Sequence, residues 1–215
     1  MLRVNEIFYS MQGESGYAGW PCVFVRLSGC NLRCTYCDTL YAYEEGSSME
    51  IGEIVDRIRP FECPLVEVTG GEPLIQTEAP ALVERLLESG YRVLVETNGS
   101  QDISRLDPRC VRIVDFKCPS SGEADSNDLD NIERLRDRDE VKMVIGTRED
   151  FDFAKEILAR IRRSAEHREV AVLFSPVFGE LTPRSLAEWI LADRLQVRLN
   201  LQLHKIIWGP ERRGV

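Results

Sequence analysis

The chain has few histidines and no long apolar run. Only His167 and His204 occur in 215 residues, so no histidine pair is available to complete a zinc site by itself. The longest apolar stretches, such as Val170–Phe174, fall far short of the roughly 20 residues that cross a bilayer. Its opening, Met1-Leu2-Arg3-Val4-Asn5-Glu6, has no basic stretch leading into an apolar one, so no secretory leader is expected and a cytoplasmic location is. Basic residues are also in deficit. With 27 bases against 36 acids the net charge is −9, the wrong balance for a surface that tracks phosphates, and neither a nucleic-acid nor a membrane partner is expected. No repeat, low-complexity tract or linker divides the sequence. It reads as one domain over residues 1–215.

What is present is a core-forming composition, 43% hydrophobic and 29% charged, laid out as short β-rich runs between longer helical ones. The spacing predicts strands at Arg3–Tyr9, Cys22–Leu27, Leu65–Thr69, Arg92–Glu96, Val111–Phe116, Val141–Ile145, Val170–Phe174 and Val197–Leu201. Helical faces are marked by Ala79, Leu82, Val83, Leu86 and Leu87, ended by Gly90, and by Phe151, Ala154, Ile157, Leu158 and Ile161. Thr182-Pro183 opens a third helix. Alternation of this kind predicts an α/β fold with a mostly parallel sheet and helices outside, short of a full eight-unit barrel. Such sheets carry their sites at the carboxyl ends of the strands. There lie Thr69-Gly70-Gly71-Glu72-Pro73, Glu96-Thr97-Asn98-Gly99 and Lys117-Cys118-Pro119.

Seven cysteines is an odd count, and Cys30, Cys34 and Cys37 fall within eight residues after the second strand. Thiolates spaced three and two residues apart can hold three irons of a cubane and leave the fourth iron open. A ferredoxin would need a fourth cysteine nearby, and zinc a fourth ligand at short range. Cys22, Cys63, Cys110 and Cys118 are isolated and read as small core residues.

The motif Cys-x-x-x-Cys-x-x-Cys with Tyr36 before the last cysteine, followed by Thr69-Gly70-Gly71-Glu72-Pro73 at the next strand end, resembles the radical S-adenosylmethionine superfamily. That resemblance implies a partial TIM-like barrel, a 4Fe–4S cluster on Cys30, Cys34 and Cys37, and S-adenosylmethionine chelating the open iron. Reductive cleavage of the cofactor then yields a 5′-deoxyadenosyl radical. Tyr36, Gly70, Gly71, Glu72, Glu96, Asn98 and Lys117 are the residues placed at the cofactor. Within the superfamily, Glu6–Gly16, Phe24–Leu27, Cys37–Thr39, Val95–Gly99, Gln202–Lys205 and Trp208–Pro210 resemble the 7-carboxy-7-deazaguanine synthase family of queuosine precursor biosynthesis.

Membership implies conversion of 6-carboxy-5,6,7,8-tetrahydropterin to 7-carboxy-7-deazaguanine, with loss of ammonia. It implies substrate contacts from Met11, Gln12, Gly13, Glu14, Arg26, Thr69 and His204, and a Mg²⁺ ion bound by Thr39 beside the substrate carboxylate. A flavodoxin or ferredoxin as electron donor and a homodimer are implied as well. Physically, a guanidinium such as Arg26 suits a carboxylate in two-pronged geometry, and Mg²⁺ takes few protein ligands. Cys118 departs from the pattern, standing after Lys117 where a proline is expected. A glycyl-radical-enzyme activase and a non-catalytic iron–sulfur or zinc module are the competing readings.

Overall fold

The computed structural model describes residues 1–163 and 169–215. Among these residues, nine strands form one open sheet in the order β3-β1-β2-β4-β5-β6-β7-β8-β9. They are β1 (Leu2–Met11), β2 (Pro21–Leu27), β3 (Ser47–Met49), β4 (Leu65–Gly70), β5 (Arg92–Thr97), β6 (Val111–Asp115), β7 (Glu140–Ile145), β8 (Ala171–Pro176) and β9 (Arg198–Leu199). β1 runs antiparallel to both β2 and β3. From β2 to β9 every pairing is parallel. The expected mostly parallel α/β sheet, short of a closed barrel, is what the chain forms.

Sequence explains the helices that pack on it. In α1 (Ile51–Ile58) the side chains of Ile54, Val55 and Ile58 are buried, and Glu50 and Glu53 close a reciprocal capping box at its start. α2 (Ala79–Glu88) ends at Gly90, whose φ of +88° suits a residue without a Cβ. α3 (Arg148–Arg163) lies against β7 and buries Phe151, Ala154, Ile157, Leu158 and Ile161. α4 (Pro183–Ala192) is capped by Thr182 Oγ1, which accepts the Ser185 N–H at 3.1 Å, and has Pro183 in its first turn. The short α5 (Leu203–Trp208) returns to the N-terminal half, where Leu203 N–H donates to Gly13 O at 2.9 Å. Cys22, Cys63, Cys110 and Cys118 are buried core residues, as expected. All seven cysteines are free thiols.

The central strands are apolar on both faces except at chosen points. Besides Arg112 near the start of β6 and Glu140 at the start of β7, these points are Arg26 on β2, Glu67 on β4, Glu96 on β5, Asp115 on β6 and Lys142 on β7. All five line one cavity.

Candidate active site

That cavity, about 510 Å³, opens at the carboxyl ends of the parallel strands. The loop after β2 supplies one wall with Cys30, Cys34, Tyr36, Cys37 and Thr39. The three thiols are half-buried. Cys30 Sγ accepts the Leu32 N–H at 3.4 Å and faces the Asn98 amide at 3.8 Å. Burial pushes the Cys30 and Cys34 thiols up; ligation to iron is what would deprotonate them. Among the described residues, no three His, Cys, Asp or Glu side chains are grouped as a single ion would need. A cubane asks for a different arrangement, since each thiolate takes its own iron.

Beneath the loop, Gly70 ends β4 and Gly71 follows it. A Cβ on Gly71 would collide with the Gly29 carbonyl and the Cys30 side chain, so glycine is required for the loop to sit this low. The Tyr36 hydroxyl is buried and has no hydrogen-bond partner among the described residues. A loop of three accessible thiols over a glycine shelf, with an unpaired hydroxyl beside it, suits a cluster and an organic cofactor that brings polar atoms.

Opposite the cysteines, an ion network crosses the strands. Lys142 Nζ lies 3.0 Å from Glu14 and 3.5 Å from Asp115, and also pairs with Glu96. Lys117 Nζ meets Asp115 at 2.9 Å. Burial opposes the Lys142 charge, but Glu14, Glu96 and Asp115 outweigh it and hold its pKa well above the usual lysine value. Burial likewise opposes ionisation of Glu14, yet Lys142 and His204 keep its carboxyl below the ordinary range. Gln202 adds a hydrogen bond to Glu14 at 3.1 Å.

At the rim, Asp38 accepts Lys205 at 2.6 Å and the Thr39 hydroxyl at 2.9 Å. Burial works against the Asp38 charge, and Lys205 overcomes it, lowering the pKa to about 2. Arg26 Nε is fixed by Glu6 at 2.8 Å, which leaves its Nη donors without a protein partner among the described residues. Gly13 packs so tightly under α5 that a Cβ there would strike His204. Burial lowers the His204 pKa.

Comparison with known proteins follows the same lines. A family model described as the radical SAM superfamily matches residues 24–113. A protein of Chlorobaculum tepidum named 7-carboxy-7-deazaguanine synthase is 48% identical over 217 residues, covering 100% of this chain and 97% of the relative. This chain belongs to the 7-carboxy-7-deazaguanine synthase family. A synthase of that name from Koribacter versatilis is 44% identical over 228 residues, with both chains covered in full. The crystal structure of QueE from Escherichia coli has the same fold, with a TM-score of 0.79 at 24% identity over 94% of each chain.

In this family member, Met11, Gln12, Gly13, Glu14, Arg26, Thr69 and His204 share the cavity with the cysteines, Gly70, Gly71, Glu96, Asn98 and Lys117. Glu72, expected at the cofactor, does not line the cavity. Its carboxylate is fully buried and accepts Leu74 N at 2.9 Å, Thr97 Oγ1 at 2.9 Å and Asn98 N at 2.6 Å. It pins the end of β4 to the end of β5. Sequence reasoning missed Glu67, Asp115, Lys142 and Lys205. For the first three a cue existed: a single charge flanked by apolar residues within an apolar run, as in Val66-Glu67-Val68 and Val141-Lys142-Met143.

Proposed function

We propose that this chain converts 6-carboxy-5,6,7,8-tetrahydropterin to 7-carboxy-7-deazaguanine with release of ammonia, and that the cavity described above is where it does so. The single observation that carries the reading is the meeting, in one cavity, of the three cluster cysteines with Arg26 and Glu14. Bound there, the iron–sulfur cluster and S-adenosylmethionine would supply radical hydrogen-abstraction chemistry. Cys30, Cys34 and Cys37 hold the cluster. Tyr36, the Gly70-Gly71 backbone, Glu96, Asn98 and Lys117 surround the cofactor.

The protein's remaining work is positioning. Arg26, oriented by Glu6, offers two parallel N–H donors to the substrate carboxylate. Glu14 is kept ionised by Lys142 and accepts from the donor edge of the pterin, with Met11, Gln12 and Gly13 supplying backbone groups and Thr69 and His204 closing the sides. His204, kept neutral by burial, presents one donor and one acceptor. Thr39 spends its proton on Asp38, so its lone pairs are left for a Mg²⁺ ion shared with the substrate carboxylate. A flavodoxin or ferredoxin as electron donor, a homodimer and a cytoplasmic location complete the proposal, the first two resting on family resemblance. Among the described residues, no helix is long and apolar enough to cross a membrane.

The deciding experiment is anaerobic incubation with reductant, S-adenosylmethionine, Mg²⁺ and the tetrahydropterin, followed by mass spectrometry. Expected is one 7-carboxy-7-deazaguanine per turnover; 5′-deoxyadenosine without that product would overturn the substrate. Exhaustive chelation should slow turnover and added Mg²⁺ restore it, whereas full activity after chelation would leave Thr39 as a turn residue only.

A further inference from the structure

The floor of the cavity holds a carboxyl group with no role so far. Glu67 sits within β4, only 2% exposed, yet it lines the cavity. Its side chain has one protein hydrogen bond among the described residues, from Gln12 Nε2 to Glu67 Oε2. The orientation of that amide is determined, because Gln12 Oε1 accepts the Glu14 N–H at 2.7 Å. Gln12 therefore presents a donor to Glu67, and Oε1 of Glu67 is left for a ligand.

Among the described residues no lysine or arginine nitrogen reaches ion-pair distance of Glu67. Lys142 is committed to Glu14, Glu96 and Asp115, and Arg26 to Glu6. The charged and titratable groups that face Glu67 are Glu14 from the β1–β2 loop, Glu96 from β5, Lys142 from β7, and Arg26 and Cys22 from β2. A buried carboxyl without a cation, turned toward two other carboxylates, keeps its proton.

We propose that Glu67 is a specificity-determining residue, a neutral carboxyl that donates a hydrogen bond from Oε1 to the 4-oxo group of the substrate's pyrimidine ring. It acts beside Glu14, whose carboxylate accepts from the adjoining ring N–H and 2-amino group. Because Gln12 already donates to Oε2, the proton belongs on Oε1. Burial raises the Glu67 pKa well above the carboxylate range, and Glu96 and Glu14 add to that against Lys142 and Arg26. Two carboxyl groups on either side of one glutamine thus read opposite features. Glu14 can only accept, and Glu67 can donate. A 2-amino-4-oxo edge, one acceptor beside two donors, satisfies both.

The assignment rests on the pterin reading above, and the test separates the two. Steady-state kinetics would compare wild type, Glu67→Gln and Glu67→Met on the 6-carboxy tetrahydropterin and on its 2,4-diamino analogue, which places a donor where the 4-oxo acceptor was. Glutamine is neutral and offers an N–H in place of the O–H, so Glu67→Gln should keep kcat/KM for the natural substrate within about fivefold. Glu67→Met should lose about tenfold to a hundredfold, chiefly in KM. Wild type should prefer the 4-oxo compound by on the order of a hundredfold, and Glu67→Met should reduce that preference at least tenfold. A structural role would lower both substrates together and leave the ratio intact. An unchanged ratio, or a Glu67→Gln variant as impaired as Glu67→Met, overturns the proposal. Should Glu67→Met fail to fold, an inactive but folded Glu67→Gln is enough to overturn it. If wild type makes no product from the 6-carboxy compound, the pterin reading fails first and this assignment falls with it.

Discussion

Arg112 and Lys142 are buried cations on neighbouring strands, 1% and 5% exposed, with opposite surroundings. Arg112, near the amino end of β6, has a partner at every guanidinium nitrogen. Its Nε donates to Asp139 at 2.9 Å, its Nη1 to Ile103 O at 3.2 Å and its Nη2 to Arg134 O at 2.7 Å. Asp139 is filled in turn by the backbone N–H groups of Arg112 at 3.0 Å and Arg136 at 2.8 Å. Lys142 faces the opposite end of the sheet, where the account does not close. Among the described residues, Asp115 Oδ1 and the Tyr36 hydroxyl are buried without partners, and Glu67 has an oxygen to spare. Buried charge alone therefore does not mark a site. Buried charge beside unsatisfied polar atoms does, because those atoms carry a cost that only a ligand or water removes.

The strongest way to break this contrast uses the cysteines. Cys34→Ala should abolish cleavage of S-adenosylmethionine and remove the cluster's visible absorbance, whereas Cys110→Ala should leave both in place. Retained cleavage in Cys34→Ala would overturn the cluster assignment. Next, Arg112→Met should cost about 3–5 kcal/mol of stability, since it strands Asp139 in the core. Lys142→Met should cost less, because its carboxylates can take up protons or water through the open cavity, but it should lower kcat/KM by on the order of a hundredfold or more. Denaturation and kinetics on both variants test this; equal stability losses would erase the distinction.

At the substrate end, Arg26→Ala should cost about 2–4 kcal/mol of transition-state stabilisation, with Arg26→Lys recovering only part, since an ammonium cannot make the two-pronged pair. An unaffected Arg26→Ala variant would remove Arg26 from the carboxylate. The smallest effect concerns pH. Burial lowers the His204 pKa below its usual 6.5, so the folded state binds fewer protons than the unfolded chain in that range. Its contribution is then present above pH 6.5 and lost as pH falls through the lowered folded value. Thermal melts of wild type and His204→Gln from pH 8 to pH 5 should show wild type losing more stability, and parallel curves would contradict this.

Much of the fold was legible because it is local. Each expected strand corresponds to an observed one, since short β-branched runs between glycine-rich turns leave little choice. The expected strand at Val197–Leu201 shrinks to Arg198–Leu199 because it lies at the sheet edge with one partner. β3, Ser47-Ser48-Met49, has no apolar alternation and exists only because the edge of β1 pairs with it. The cluster loop was legible for the same local reason, its thiols being neighbours in sequence. Lys142 and Asp115 are isolated in sequence, and only the parallel register, which sets Asp115 opposite Lys142, makes them one unit. Glu72 shows the reverse: its place in the motif was legible, but the burial of its side chain against the end of β5 was not. A motif correctly located says which backbone faces the site, and not where each side chain points.

The charges that interrupt β2, β4, β5, β6 and β7 have a consequence for abundance as well as for chemistry. A sheet face carrying five ionisable side chains makes a poor interior, so the empty protein forgoes stability that occupancy returns. By mass action a ligand at a hundred times its Kd adds about 2.7 kcal/mol to the folded state. Protease resistance should therefore rise with supply of the cofactor and pterin, and the amount of enzyme surviving in a cell would follow the flux it serves.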